Sequence, residues 1–282
     1  MAERDDLAQA VVDVAAEAGR LAMARWRTDF RQWEKAPGNP VCEVDLAVDA
    51  LVRERLSALL PDAGWLSEET ADTADRLACR RVGVVDPIDG TRDYIRGRPG
   101  WCVSIELVED GQVVIGVLDA PVRQEVWTAI AGVGAWRNGV RLAAGSRTNI
   151  TGARVPTDAL PKVDRDLTMV AKPNSIALRI AMVAADEADL VATLRWGNEW
   201  DIAAALLIAA EAGAGVSDAP GGTLAFNKPD PRDFGVLVSA PGIHAAAVAR
   251  LAERMDATRR LTVDAVPAVA PVFSPAPRPR DI

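Results

Sequence analysis

The stretch Val82-Gly-Val-Val-Asp-Pro-Ile-Asp-Gly-Thr91 decides how this chain is read. Its apolar start, Val82–Val85, predicts a strand, and the strand runs straight into two aspartates separated by Pro87 and Ile88. A strand that ends this way delivers Asp86 and Asp89 to the edge of a sheet, with Pro87 fixing φ and Gly90 easing a tight turn. Mg²⁺ takes oxygen ligands in octahedral geometry, typically a few carboxylates completed by waters and substrate phosphate. Asp86, Asp89 and the carbonyl of Ile88 meet that need, and the Thr91 hydroxyl is placed to orient a metal-bound water. Taken alone, the segment reads equally as an Asp-Gly turn or as a helix cap at Asp86. An EF-hand does not fit: loop position five is Gly90, and position twelve is Gly97 where a glutamate is required.

Acidic residues recur at similar junctions. Glu68-Glu69 follow the short apolar pair Trp65-Leu66, at the mouth of a second candidate strand. Trp200-Asp201 opens the apolar helix Ile202–Ala212, which puts Asp201 at or near its N-cap. A helix start of this kind also favours a phosphate nearby. Asp45 starts another helix. Each has a plain structural reading, a surface pair or a capping aspartate, and the pattern gains force only when the three clusters are taken together.

Composition removes several alternatives. The chain of 282 residues holds one histidine, His244, which follows Pro-Gly-Ile, opens an alanine-rich helix and reads as a surface or cap position. A Ser-His-Asp triad or a histidine-rich zinc site would have to run through it, so chemistry must rest on carboxylates, hydroxyls, Lys/Arg or metals held by oxygen. The net charge of −8 and the lack of a basic cluster argue against a nucleic-acid polymer as partner. The longest apolar run, Ile202–Ala210, is far short of a bilayer span, which argues against membrane insertion. The N-terminus shows no secretory h-region. Cys42, Cys79 and Cys102 are widely spaced and odd in number, as expected of reduced thiols in a cytoplasmic protein. Cys102, in an apolar run, reads as core.

A helical stripe covers 7–26, a polar loop with Pro37-Gly-Asn-Pro40 follows, and a second amphipathic helix spans about 45–60. From Val82 to Trp136 the runs Val82–Val85, Trp101–Val108, Val113–Leu118 and Glu125–Ile130 predict an antiparallel meander. Beyond 150, helices at 175–186 and 200–212 alternate with strands at 167–171 and 235–239. The prediction is a mixed α+β architecture in two linked halves: 1–150 carrying most candidate ligands, and 151–262 carrying Asp201 and a substrate pocket. The segment 263–282, with Pro267, Pro271, Pro275, Pro277 and Pro279, has the composition of a disordered tail.

Ser67-Glu-Glu69, Asp86-Pro-Ile-Asp-Gly-Thr91 and Trp200-Asp-Ile-Ala-Ala204 with Glu211-Ala-Gly213 together closely resemble the inositol monophosphatase superfamily, in consistent order over about residues 5–255. The resemblance implies a layered αβαβα sandwich with a metal site between its halves, and a Mg²⁺-dependent phosphomonoesterase acting on a small-molecule phosphate ester. It implies two or three Mg²⁺ per site. Glu68, Asp86 and the Ile88 carbonyl would bind the first, and Asp86, Asp89 and Asp201 the second. Thr91, hydrogen-bonded to Asp45, would with Glu68 position the attacking water, while the Gly90 and Thr91 N–H groups face the phosphate. Lys35 falls near a lysine common in the family. The family contains monomers and homodimers, and no interface can be read from this chain.

Within the superfamily, Leu66-Ser-Glu-Glu69, Asp89-Gly-Thr-Arg-Asp-Tyr94, Asn198-Glu-Trp-Asp201 and Asn227-Lys-Pro-Asp230 look most like the 3′(2′),5′-bisphosphate nucleotidases, which remove the 3′-phosphate of 3′-phosphoadenosine 5′-phosphate. Inositol-cleaving members usually carry a carboxylate about seven residues before the helix aspartate, where this chain has Thr193-Leu194. Arg92, Arg179 and Arg195 are candidate readers of a second phosphate. Asn174-Ser175 stands where the family has Gly-Ser, and Ser175 is a candidate pocket residue. Two alternatives stay open: an inositol-1-phosphate, sugar or histidinol phosphatase, and a non-catalytic regulatory protein on the same fold.

Overall fold

The computed structural model describes residues 2–264, with side chains over 4–255. The chain begins with helix α1 (Ala2–Arg25), a hairpin of β1 (Gln32–Ala36) and β2 (Asn39–Cys42), and helix α2 (Glu43–Leu59). Strands β3 (Gly64–Ser67), β4 (Arg81–Asp89), β5 (Cys102–Glu109), β6 (Gln112–Ala120), β7 (Glu125–Ile130), β8 (Gly134–Arg137) and β9 (Val140–Arg141) follow, with helix α3 (Thr91–Ile95) between β4 and β5. The remainder comprises β10 (Arg154–Pro156), β11 (Thr168–Val170), α4 (Ile176–Ala184), β12 (Leu190–Ala192), β13 (Trp196–Asn198) and α5 (Glu199–Glu211). It ends with β14 (Gly215–Ser217), β15 (Arg232–Phe234), β16 (Leu237–Ser239) and α6 (His244–Asp264).

Strands β3 to β9 form one seven-stranded sheet in sequence order. From β4 to β9 it is the antiparallel meander that the alternating runs predict, and β3 adds in parallel to β4. Period-two alternation along β5 sorts its two faces. Val103, Ile105 and Leu107 pack with α1 and α2, whereas Cys102 and Val108 join the core under α4 and α5. A third core lies between the small sheet β12-β16-β14 and α6. The layers therefore run helices, seven-stranded sheet, helices, three-stranded sheet, helix: the αβαβα sandwich.

This layering explains α5. A helix that is apolar nearly all round must be covered nearly all round, and α5 lies between the two sheets with Ile202, Ala203, Ala204, Ala205, Leu206, Ile208 and Ala209 all buried. Its approach to the large sheet is close enough that a Cβ on Gly116 would stand 2.8 Å from the Ala204 carbonyl oxygen.

Two expectations change, and a third falls outside the described residues. The segment around Pro37-Gly-Asn-Pro40 is a β-hairpin, not a loop; every residue of β1 is exposed, so it lacks the alternation by which strands are recognised. His244 is half-buried instead of lying on the surface: its ring bonds the hydroxyls of Ser239 (3.0 Å) and Ser217 (3.2 Å), tying α6 to β16 and β14. The Pro-rich stretch from 265 onward lies outside the described residues.

Candidate metal and phosphate site

The two aspartates of the opening motif do reach a sheet edge. Strand β4 breaks register against β5 between Asp86 and Asp89. This bulge lets both carboxylates turn toward one cavity, which a regular strand would prevent by sending residues of opposite parity to opposite faces. Asp86 Oδ1 accepts the Ile88 N–H at 3.0 Å, which fixes the turn. Gly90 follows at φ 97°, and a Cβ there would stand 2.6 Å from the Gly100 carbonyl oxygen, so only glycine fits.

Glu68 continues the parallel pairing of β3, its N–H bonding the Val85 carbonyl at 3.2 Å. That places Glu68 beside Asp86. Asp201 arrives from the first turn of α5, reaching back to the Asn198 N–H at 3.0 Å. Carboxylate oxygens of Glu68, Asp86 and Asp201 lie within 4.8 Å of one another. Asp86 is 2% exposed, and its carboxyl is held well above the usual range by burial and then by the charges of Glu68, Asp89, Asp201 and Asp45. Burial, with the charges of Asp89 and Glu68, pushes Asp201 up to about 7. One buried and two half-buried carboxylates that repel one another this closely fit a divalent cation, and an all-oxygen donor set fits a hard one such as Mg²⁺. The rim already holds a cation: Lys35 Nζ stands 3.0 Å from Glu68 and 2.7 Å from Glu69.

Asp89 is placed differently. One oxygen takes the Ser175 hydroxyl and the Ala177 N–H (2.8 Å), while the other has only a 3.4 Å contact with the Ile176 N–H. It thus caps the start of α4 from outside and keeps one oxygen almost unengaged toward the cavity. Burial raises its carboxyl to about 6. Asp45 sits in the first turn of α2, 1% exposed, and burial lifts it to about 6 as well. Its Oδ1 lies 3.2 Å from the Thr91 hydroxyl, which is also 3.0 Å from the Ile88 carbonyl oxygen. Neither Asp45 nor Asp201 is itself the N-cap: that position belongs to Cys42 and Asn198, and each aspartate stands three residues later and reaches back.

A cavity of about 560 Å³ joins these groups, lined among others by Glu68, Asp86, Ile88, Asp89, Gly90, Thr91, Arg92, Arg179, Arg195 and Asp201. Ser175 does not line it. The residue is fully buried, accepts the Leu178 N–H at 2.9 Å as the N-cap of α4, and donates to Asp89 from behind. Among the arginines, Arg92 donates to the Gly38 carbonyl and Arg179 to the Pro173 and Asn174 carbonyls. Among the described residues the Arg195 side chain has no hydrogen-bond or ion-pair partner, and its charge works against that of Arg179. Sequence reasoning missed Lys172, which lines the same cavity. It lies two residues past the end of β11, and the carboxyl ends of strands are where α/β sheets bind ligands.

This constellation has counterparts. The inositol monophosphatase family matches residues 3–257 of this chain. The chain belongs to that family. It is 32% identical to "Inositol monophosphatase 2" of Solanum lycopersicum over 232 residues, 74% of this chain and 88% of the relative. It is 28% identical to the "3′(2′),5′-bisphosphate nucleotidase CysQ" of Aggregatibacter actinomycetemcomitans over 236 residues, 79% of this chain and 88% of that one. A solved Thermotoga maritima IMPase superposes with a TM-score of 0.77 at 28% identity, covering 91% of this chain and 99% of that structure. Members of the family are metal-dependent phosphatases, and the oxygen-ligand cluster here agrees with that chemistry. Among the described residues no helix is long and apolar enough to cross a membrane.

Proposed function

We propose that this protein is a Mg²⁺-dependent phosphomonoesterase whose substrate carries two phosphate groups, with the 3′-phosphate of 3′-phosphoadenosine 5′-phosphate as the bond cleaved. The convergence of Glu68, Asp86 and Asp201 within 4.8 Å carries the metal part of this reading. Ile88 contributes its carbonyl, and Asp89 the oxygen that α4 leaves nearly free. When bound, Mg²⁺ supplies positive charge to the phosphate oxygens and lowers the pKa of a coordinated water. Phosphate monoester hydrolysis is among the slowest uncatalysed reactions, so the protein's share is position and charge.

The chain's own groups supply that position. Thr91 has one hydroxyl proton; directing it at the Asp45 carboxylate turns the oxygen lone pairs toward the cavity, where they accept a hydrogen bond from the attacking water and orient it. Glu68 receives the same water from the other side. The N–H groups of Gly90 and Thr91 bind the departing phosphate.

The bisphosphate reading rests on Arg195 and its neighbour Arg179. A guanidinium without an acidic partner, facing a second one, is stabilised by an anion between them, and Arg forks match phosphate oxygens. Leu194 lines the cavity where a carboxylate would grip sugar hydroxyls. The relatives named for inositol phosphate keep the inositol-1-phosphatase reading as the alternative.

Phosphate release by the purified protein with Mg²⁺, offered 3′-phosphoadenosine 5′-phosphate beside inositol 1-phosphate, decides between the two. Preference for the nucleotide upholds the reading. Preference for inositol phosphate overturns the substrate and leaves the metal chemistry standing, and bound metal with no turnover on any phosphate ester favours a non-catalytic role.

A further inference from the structure

The residue at the N-cap of α2 is a poor choice for that position. Ser, Thr, Asp and Asn lead at N-caps because their oxygen accepts an orphan N–H, and here the residue is Cys42, fully buried. Its neighbours show another use. The Cys42 Sγ lies 2.9 Å from Asp45 Oδ2, and the Cys42 N–H lies 2.9 Å from the same oxygen. The opposite oxygen of that carboxylate, Oδ1, faces the Thr91 hydroxyl at 3.2 Å. One carboxylate thus stands between a thiol and the hydroxyl that orients the attacking water.

We propose that Cys42 is a positioning residue for catalysis: its S–H donates to Asp45 Oδ2, and with its N–H clamps the carboxylate so that Oδ1 stays aimed at Thr91. The clamp matters because Thr91 has a competing acceptor, the Ile88 carbonyl at 3.0 Å. If Asp45 rotates away, the hydroxyl proton swings to that carbonyl, and its lone pairs leave the line on which the water approaches. Two donors on Oδ2 remove this freedom, since rotating the carboxylate breaks both bonds at once. The thiol keeps its proton in this role: burial first, then the Asp45 charge, push it up to about 12. A buried thiolate beside a carboxylate would be doubly unfavourable, so Cys42 keeps its proton for Asp45 Oδ2 while its sulfur accepts the Asp45 N–H of the capping box. This role rests on the phosphomonoesterase reading above.

The test compares Cys42→Ala and Cys42→Ser. Removing the donor in Cys42→Ala lowers kcat about tenfold, the factor that an ordinary hydrogen bond supplies. KM and the Mg²⁺ concentration for half-maximal rate stay as in the wild type. Cys42→Ser restores an O–H donor and recovers kcat to within about threefold. Full activity in Cys42→Ala, or an equal loss in both variants, overturns the proposal, the second because it marks packing volume and not the donor as what matters. A readout independent of turnover is the infrared S–H stretch. The band that disappears in Cys42→Ser belongs to this thiol, lies below that of a solvated thiol, and moves up in Asp45→Asn. A band unmoved by Asp45→Asn refutes the contact whether or not any ester is hydrolysed. Absence of turnover in the wild type, by contrast, counts against the phosphomonoesterase reading, and the infrared shift still decides whether the contact exists.

Discussion

Taking the metal-free protein from pH 5 to pH 8 strips a proton that the fold holds and the unfolded chain does not. Asp201 is the clearest case: burial and the charges of Asp89 and Glu68 move its carboxyl from 3.8 to about 7. Between these values the folded form binds more protons than the unfolded one, so stability falls as pH rises through the window, and is greatest below pH 4 as far as this group is concerned. Between pH 5 and pH 8 the loss is set by the two pH units up to the folded value of about 7, which at 1.36 kcal/mol per unit is about 3 kcal/mol, or about 5 °C in melting temperature for a chain of this size. The assay is thermal unfolding of chelator-treated protein across pH 5–8, for the wild type and Asp201→Asn. The asparagine keeps the bond to the Asn198 N–H but carries no charge, so the mutant profile is flatter and it melts higher than the wild type at pH 8. The difference reports Asp201 together with the charge it places on Asp86. Added Mg²⁺ then stabilises the wild type strongly at pH 8 and weakly at pH 5, where protons compete for its ligands, and barely moves the mutant. Parallel profiles for the two metal-free proteins would refute the claim that Asp201 is held protonated by its neighbours.

Three further outcomes follow from the site. Asp89→Asn loses Mg²⁺-dependent phosphate release while its circular dichroism stays that of the wild type; an active Asp89→Asn protein removes this residue from the ligand set. Arg195→Ala and Arg179→Ala each raise KM for a bisphosphorylated substrate about tenfold, a charge-assisted hydrogen bond's worth, and change KM for a monophosphate little; equal effects on both substrates count against a second-phosphate subsite. Gly116→Ala pushes a methyl to 2.8 Å from the Ala204 carbonyl and costs about 1–3 kcal/mol in chemical denaturation. It also lowers kcat, because α5 carries Asp201 as it lifts; full activity with lost stability shows that the helix tilts about its first turn instead.

The candidate ligand set is legible in the sequence because each carboxylate sits where a local pattern changes. Asp86 ends an apolar run, Glu68 follows another, and Asp201 opens a helix; all three transitions are visible without a fold. The capping pattern reads three residues off, at Asp201 and Asp45 instead of Asn198 and Cys42, since a carboxylate in the first turn that reaches back gives the same signal as one at the cap itself. Ser175 is hard to place for a related reason: a serine before an apolar helix announces a cap, and its second bond, to Asp89, is tertiary. The hairpin β1–β2 is hidden because all of β1 is exposed, and with it goes the seat of Lys35, which depends on the hairpin folding over Glu68 and Glu69. The burial of His244 is equally invisible, because Ser239 lies just across a turn without any pattern linking it to the ring, and Ser217 comes from a separate strand.

The same residues show why this fold tolerates so costly a site. Asp86 and Asp89 are buried and Asp201 is half-buried beside them, and a buried carboxylate without partners would neutralise or unfold its surroundings. Each is instead tied by main-chain N–H groups: Asp86 by Ile88, Asp89 by the first turn of α4, Asp201 by the entry to α5. Those bonds engage only part of each carboxylate, which leaves oxygens free in one cavity and fixes their directions. A histidine ligand would bring a neutral donor and less repulsion; oxygen donors bring charge that only a cation can balance. The apolar α5, buried on both sides, keeps Asp201 from relaxing away from its neighbours when the cation is absent. Above about pH 7 the repulsion is therefore stored in the metal-free fold and released on binding, and below it protons take the cation's place, so metal affinity and fold stability are two readings of one arrangement.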